Sequence, residues 1–143
     1  MKKALLLLLM LFSFSGQAQN DEVQKTIKTF FEGFHAKDTL LIKSTCSEKI
    51  ILQSISESPK GNKLTEDSAK DFYKSIATIP AEMKFEERIL SYNIQVDGTM
   101  ANVWTPYEFY INGKLSHKGV NNFTLFKDTS GWRIIYLIDT RKR

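Results

Sequence analysis

A glutamate and a histidine in the second half of the chain form the residue pair best suited to acid–base chemistry. The sequence holds two histidines, His35 and His117, and imidazole changes its charge near neutral pH. Asn112-Gly113 separates two segments of alternating polarity, which is a strong signal for a two-residue β-hairpin turn. If the strands pair around this turn without a bulge, Glu108 lies opposite His117. The carboxylate would orient the imidazole, which could then shuttle a proton or donate to an oxyanion.

The same register places Trp104 opposite Asn121, on the face that carries Glu108 and His117. The other face then carries Val103, Thr105, Tyr107, Phe109, Val120 and Asn122. One bulge would exchange these two faces for part of a strand. An ordinary, half-exposed cross-strand pair is the alternative interpretation of Glu108 and His117, and the sequence leaves both interpretations open.

Aromatic residues around this hairpin indicate a binding pocket. Ligand sites are usually concave, mostly apolar, and carry a few placed polar groups. The residues expected to line such a pocket are Phe34, His35, Trp104, Tyr110, Asn121, Phe123, Trp132 and Tyr136. Both faces of the strands carry aromatic residues, so the pattern does not indicate which face is concave. The expected ligand is a small apolar or aromatic molecule.

Several other kinds of site lack a signal in the sequence. The histidines do not occur at a zinc-ligand spacing such as His-x-x-x-His, so neither a metal site nor a cofactor is predicted. There is no glycine-rich phosphate loop and no nucleophile elbow. Cys46 is the single cysteine, and no nucleophile signature surrounds it. We interpret it as a small buried apolar residue rather than as a nucleophile.

The first 18 residues have the composition of a secretory signal peptide. Two lysines precede an apolar run from Ala4 to Phe14, and Gly16 and Ala18 offer the small residues of a cleavage site. The run is shorter than the about 20 residues that a membrane span needs, so no stable membrane anchor is predicted. Cleavage near Ala18 would leave residues 19–143 as one exported domain, periplasmic or secreted.

The remaining charge is too small to predict a nucleic-acid-binding protein. The whole chain carries a net charge of +4, which falls to +2 once the two leader lysines are removed. A charge of this size, spread over a domain, does not make a phosphate-binding surface.

Apolar periodicity predicts three helices in the first half of the mature chain. The first extends from Glu22 to about Ala36, and its buried face consists of Val23, Ile27, Phe30, Phe31 and Phe34. A short second helix, Leu40 to about Thr45, would be capped by Thr39 and followed by a strand from Lys49 to Ile55. After a loop over residues 56–63, Thr65 would cap the third helix, whose buried stripe is Ala69, Phe72, Tyr73 and Ile76.

Four long antiparallel strands follow, over residues 84–96, 100–111, 114–127 and 132–140. The last strand is apolar on both sides, with Trp132, Ile134, Tyr136 and Ile138 alternating with Arg133, Ile135, Leu137 and Asp139. A strand that is apolar on both faces is covered on both. One face would meet the helices, and the other would meet a second subunit in a homodimer. The alternative is that neighbouring strands of the same chain cover it.

The segments Trp104–Tyr110, His117–Val120, Gly131–Ile134 and Asp139–Arg141, together with the element order, resemble the nuclear transport factor 2-like superfamily. The resemblance covers residues 21–141 and is nearest to exported bacterial members without a settled function. It implies a cone-shaped, cystatin-like α+β fold in which three N-terminal helices pack on a strongly curved antiparallel sheet. It also agrees with a homodimer. The superfamily contains ketosteroid isomerases, polyketide cyclases and binding proteins, so a ligand carrier, an acid/base enzyme (isomerase, cyclase or hydratase) and a dimeric interaction module with a closed pocket all stay open.

Overall fold

The computed structural model describes the backbone of residues 2–142 and the side chains of residues 16–142. Its elements in chain order are α1 Lys2–Ala36, α2 Thr39–Thr45, β1 Cys46–Ser58, β2 Gly61–Asp67, α3 Ala69–Ala77, β3 Phe85–Ile89, β4 Asn93–Asp97, β5 Met100–Ile111, β6 Lys114–Asp128 and β7 Gly131–Lys142. Within these residues the fold is α+β, with three helices and a curved, open sheet of seven strands. The predicted leader falls for the most part outside the described side chains and stays a prediction.

The first two helices pack together through a glycine and a tight connection. The predicted buried face of α1 is confirmed for Val23, Ile27, Phe30 and Phe31, whereas Phe34 is half-buried. Asp38, not Thr39, caps α2, and its carboxylate accepts from the backbone N–H groups of Leu40 and Leu41 at 3.0 Å each. A Cβ atom on Gly33 would lie 2.9 Å from the backbone nitrogen of Ile42. This glycine therefore allows the close approach of α2 to α1.

The region before α3 differs from the sequence-based expectation. Residues 56–58 and 61–63 are not a loop, because β1 and β2 form a hairpin with Ser58 opposite Gly61. Thr65 lies in β2, where its hydroxyl donates to the carbonyl of Ser54, and it does not cap the third helix. Ser68 is the cap instead, since its Oγ accepts from the backbone N–H of Asp71 at 3.1 Å. Because β2 pairs with β1, the strand continues past Thr65, and the helix begins only after Ser68. The predicted stripe of α3 does pack on the core.

The strand order in the sheet is β2-β1-β7-β6-β5-β3, with β4 also paired to β5. In this described sheet β1 and β7 are parallel, and the other neighbours are antiparallel. The single strand predicted over residues 84–96 is two strands, β3 and β4, which pair with different halves of β5. The break lies opposite Pro106, which has no N–H to donate; its carbonyl still accepts from Leu90 at 2.9 Å.

Two bulges change the faces predicted for β6 and β7. Next to the turn the predicted register is confirmed, with Ile111 opposite Lys114. Ser116 is then an extra residue in β6, so His117 lies opposite Phe109, and Glu108 lies opposite Lys118. The predicted pairing of Glu108 with His117 is therefore wrong.

The second bulge is in β7. Leu125 pairs with Ile134 and Thr124 with Tyr136, which leaves Ile135 as the extra residue. Strict alternation along this strand, as predicted from the sequence, is therefore wrong. Beyond the bulge, Leu137 and Asp139 share a face with Ile134.

The concave face of the sheet is the one that meets the helices. On β5 it presents Ala101, Val103, Thr105 and Tyr107, all at most 2% exposed. The convex face presents Trp104, which is 49% exposed, and Phe126 of β6, which is 48% exposed. The more apolar set of alternate residues on β5 therefore faces inward, and the core lies between α1, α2, α3 and this face.

Candidate ligand pocket

A cavity of about 310 Å³ lies between α1, α3 and the concave face of the sheet. We call it the pocket. Five phenylalanines line it, four from the helices and one from β5, and we call them the aromatic wall: Phe30, Phe31, Phe34, Phe72 and Phe109. Phe30 and Phe72 lie parallel with ring centroids 6.3 Å apart, whereas Phe31 meets Phe30 edge-on at 5.4 Å. Such rings offer both faces and edges to a flat ligand.

His117 belongs to this wall because of the bulge at Ser116. Its imidazole stacks on Phe109, with ring centroids 4.9 Å apart and planes 25° apart. It also meets the ring of Tyr107 edge-on at 5.8 Å. Its Nδ1 lies 3.2 Å from the hydroxyl of Ser116. The imidazole is thus held between an aromatic face and a hydroxyl at the edge of the pocket.

The polar residues of the pocket lie beside the aromatic ones and centre on Glu87 of β3, which pairs with Phe109 of β5. The side-chain amide of Asn121 donates to Glu87 Oε1 at 2.7 Å. Burial raises the pKa of the Glu87 carboxyl to about 7, and the nearby charge of Asp139 adds to this, whereas Asn121 and Arg141 act in the opposite direction. Glu87 therefore exchanges its proton near neutral pH.

A second carboxylate, Asp139 of β7, is held by three donors. Its oxygens accept from the hydroxyl of Ser54, from the Tyr107 hydroxyl at 3.2 Å and from Arg141 Nε at 2.7 Å. The Tyr107 hydroxyl also lies 2.8 Å from the carbonyl oxygen of Thr140. Burial, together with the charge of Asp139, raises the pKa of Tyr107. Tyr107 is therefore a neutral hydrogen-bond donor at the polar side of the pocket.

His35 fixes the strand that carries Glu87. Its Nε2 accepts from the backbone N–H of Glu87 at 3.0 Å, which links the last turn of α1 to β3. The imidazole also stacks on Phe31 at 6.2 Å. Burial lowers the pKa of His35, with the charge of Glu86 opposing this. A neutral imidazole is also what the hydrogen bond requires, since a protonated Nε2 cannot accept.

Several solved structures share this architecture. No protein-family model matches the sequence, and no curated protein matches it. An NTF2-like protein of unknown function from Shewanella baltica OS155 superposes with a TM-score of 0.65 at 16% identity, covering 88% of this chain and 95% of that one. The chain has the NTF2-like fold.

Two further neighbours show what else shares the NTF2-like fold. A Streptomyces avermitilis protein, provisionally named a dehydratase of the NTF2-like family, matches with a TM-score of 0.65 at 14% identity, over 86% of this chain and 95% of that one. A domain of unknown function with a cystatin-like fold, from Nostoc punctiforme PCC 73102, matches with a TM-score of 0.65 at 15% identity, over 88% and 78%. Identities this low establish the fold alone.

The NTF2-like fold brings some of the predicted pocket residues together. Phe34, Asn121 and His117 line the pocket. His35 is not part of the lining but contacts Phe31 and Glu87, which are. Phe123 and Trp132 are buried in the core. Phe123 contacts the rings of Phe30 and Phe31 without lining the pocket.

Four predicted residues lie on the convex face instead: Glu108, Trp104, Tyr110 and Tyr136. Their placement in the pocket with His117 is wrong, because the bulges at Ser116 and Ile135 separate the two faces differently from strict alternation. On that face the Tyr110 hydroxyl donates to Glu108 Oε2 at 2.7 Å. The Tyr136 hydroxyl donates to Gln53.

The polar residues that sequence reasoning missed are Glu87, Tyr107, Asp139 and Arg141. Tyr107 had a usable signal, because Val103, Thr105, Tyr107 and Phe109 are more apolar than the residues between them. Glu87 had none, since it lies in a short edge strand among charged neighbours. Asp139 and Arg141 depend on the bulge at Ile135, which nothing local in the sequence marks.

The described part of the chain has neither a metal-ligand cluster nor a membrane-spanning helix. No group of three or more histidine, cysteine, aspartate or glutamate side chains there is arranged to hold a metal ion. Nor is any helix among these residues long and apolar enough to span a membrane. Cys46 is buried, and burial raises the pKa of its thiol, so the reactive thiolate is disfavoured.

Proposed function

We propose that this protein binds a small, flat, largely apolar molecule that carries a polar oxygen. The observation that supports this is that one pocket combines many aromatic rings with a few polar groups. Phe30, Phe34 and Phe109 offer their rings to a ligand, while Glu87 and Asn121 add hydrogen-bonding groups beside them. Apolar surroundings with a few convergent polar groups characterise small-molecule sites.

The binding test uses 2-naphthol, a two-ring aromatic with one hydroxyl, titrated into the purified protein and followed by its fluorescence. We expect Phe109→Ala to weaken binding about tenfold, because a contact between aromatic rings contributes roughly 0.5–1.5 kcal/mol beyond the area it buries. Phe126→Ala, the matched change on the exposed convex face, should leave the affinity unchanged. Equal losses in both variants, or no binding to the wild type, would refute the proposal.

A second candidate function is acid/base catalysis, and the observation that favours it is Glu87. A carboxyl whose pKa is about 7 is close to the optimum for a general base at neutral pH. Glu87 therefore replaces Glu108 as the candidate base, although Phe109 lies between Glu87 and His117 in the sheet. In an elimination of water, the Glu87 carboxylate would accept a proton from carbon, and His117 would give one to the departing hydroxyl. The provisional name of the Streptomyces avermitilis neighbour is compatible with this chemistry.

The test for catalysis is hydrogen–deuterium exchange at the acidic carbon of 2-tetralone, a two-ring enolisable ketone, measured by NMR in D₂O. We expect the wild-type protein to accelerate exchange, with a rate that rises through pH 7 as Glu87 loses its proton. Glu87→Gln should reduce exchange to the uncatalysed rate, whereas Glu86→Gln, an exposed neighbour on β3, should not. If 2-naphthol binds but exchange is not accelerated, the protein is a binder and not an enzyme of this class.

A further inference from the structure

A second cavity, of about 420 Å³, adjoins the pocket near the ends of β1 and β7 and the start of β6. We call it the outer chamber. His117 and Arg141 line both the pocket and the outer chamber. The two spaces therefore adjoin at these two side chains.

The outer chamber differs from the pocket in its lining, which is rich in hydroxyl groups rather than in aromatic rings. Three hydroxyls line it, those of Ser56, Ser58 and Ser116. A serine hydroxyl both donates and accepts hydrogen bonds. Other hydroxyl groups do the same, so a hydroxylated partner suits this lining.

The charged groups of the outer chamber are paired. Arg141 Nε lies 2.7 Å from Asp139 Oδ2. Glu57, which also lines the chamber, lies 3.7 Å from Nζ of Lys142. Since each charge has an opposite charge beside it, the chamber does not favour an ionic group of either sign.

We propose that the outer chamber is a subsite for a neutral, hydroxylated extension of a ligand whose aromatic part occupies the pocket. This inference rests on the proposed binding function of the pocket. At about 310 Å³ the pocket is at the lower end of the roughly 300–1,000 Å³ found for ligand sites. A ligand with more than a small ring system would therefore extend past His117 and Arg141, and the serine hydroxyls would meet that extension.

The experiment compares three probes that share one ring system: 2-naphthol, 2-naphthyl β-D-glucopyranoside and 2-naphthyl sulfate. Calorimetric titration of the full-length protein should show the glucoside binding about tenfold more tightly than 2-naphthol, as expected for one or two added neutral hydrogen bonds. The sulfate should bind no more tightly than 2-naphthol, because Arg141 at the chamber is already paired with Asp139.

The second part of the experiment uses variants that block the outer chamber. Ser56 is exposed on β1, and Ser56→Phe should fill the space. This variant should bind the glucoside no more tightly than 2-naphthol, and its affinity for 2-naphthol should equal that of the wild type. Ile55→Phe, the adjacent position on the other face of β1, is the matched control and should alter neither. Ser58→Phe blocks the same chamber from the end of β1 and serves if Ser56→Phe does not fold.

The outcomes separate the two proposals. If 2-naphthol binds but the glucoside binds no more tightly, or if the blocking variants do not reduce its gain, the subsite is refuted while the pocket stands. If the sulfate binds more tightly than the glucoside, the assignment to a neutral group is wrong. If none of the three probes binds, the proposed function fails, and the subsite fails with it.

Discussion

The carboxyl of Glu87 should make the stability of this protein fall as pH rises from 4.5 to about 7. Burial raises the folded-state pKa of Glu87 from its ordinary value of 4.5 to about 7. Between these pH values the folded protein holds a proton that the unfolded chain has lost. Stability falls with pH wherever the folded state binds more protons, so ionised Glu87 destabilises the fold above pH 7 and has no such effect below pH 4.5.

The substitution Glu87→Gln removes this ionisation and keeps an oxygen that can accept from Asn121. Each pKa unit corresponds to about 1.36 kcal/mol, so a pKa that moves from 4.5 to about 7 sets an upper limit of about 3 kcal/mol. Glu87 keeps some exposure to solvent, which reduces the effect. We expect the variant to be about 2 kcal/mol more stable than the wild type at pH 8 and nearly equal to it at pH 4.

Urea unfolding at pH 4, 6 and 8 measures this difference directly. Other groups also titrate in this range, His35 among them, so the quantity to follow is the variant minus the wild type at each pH. Glu86→Gln is the control, because Glu86 is exposed and its hydrogen bond from Arg88 lowers its pKa. Glu86→Gln should not be more stable than the wild type at pH 8. A Glu87→Gln difference that is the same at pH 4 and pH 8 would refute the assignment of a buried, easily protonated carboxyl.

Three further predictions concern other parts of the fold. His35→Phe removes the acceptor of the Glu87 N–H and should cost about 0.5–1.5 kcal/mol in urea unfolding at pH 7. Because burial lowers the pKa of His35, this cost should shrink as pH falls below 6.5. A Cβ on Gly119 would lie 1.8 Å from the backbone oxygen of Thr140, so Gly119→Ala should cost more than about 3 kcal/mol in urea unfolding; a loss below about 1 kcal/mol would contradict this contact. We also propose a homodimer through the convex face, where Trp104 is exposed. Trp104→Lys should then convert a dimer to a monomer in sedimentation, and a monomeric wild type would contradict it.

Sequence patterns predicted the elements that depend on local chemistry. The Asn112-Gly113 turn fixes the register beside it, so the pairing of Ile111 with Lys114 and the extent of β5 are confirmed. The start of α3 was wrong because Thr65 and Ser68 can both cap a helix, and only the pairing of β2 with β1 decides between them. Likewise, local patterns do not predict the parallel pairing of β1 with β7, because the two strands are far apart in the sequence.

Two bulges decide which polar side chains the pocket contains. Without the extra residue Ser116, alternation along β6 would place His117 on the same side as Glu108, outside the pocket. Without the extra residue Ile135, alternation along β7 would place Asp139 and Arg141 on the convex face. Bulges often re-aim side chains next to functional sites. A sequence that kept the pocket residues but lost either bulge would have the same sheet and a different pocket. For this reason, structural similarity at 14–16% identity does not indicate which reaction or ligand a protein of this fold serves.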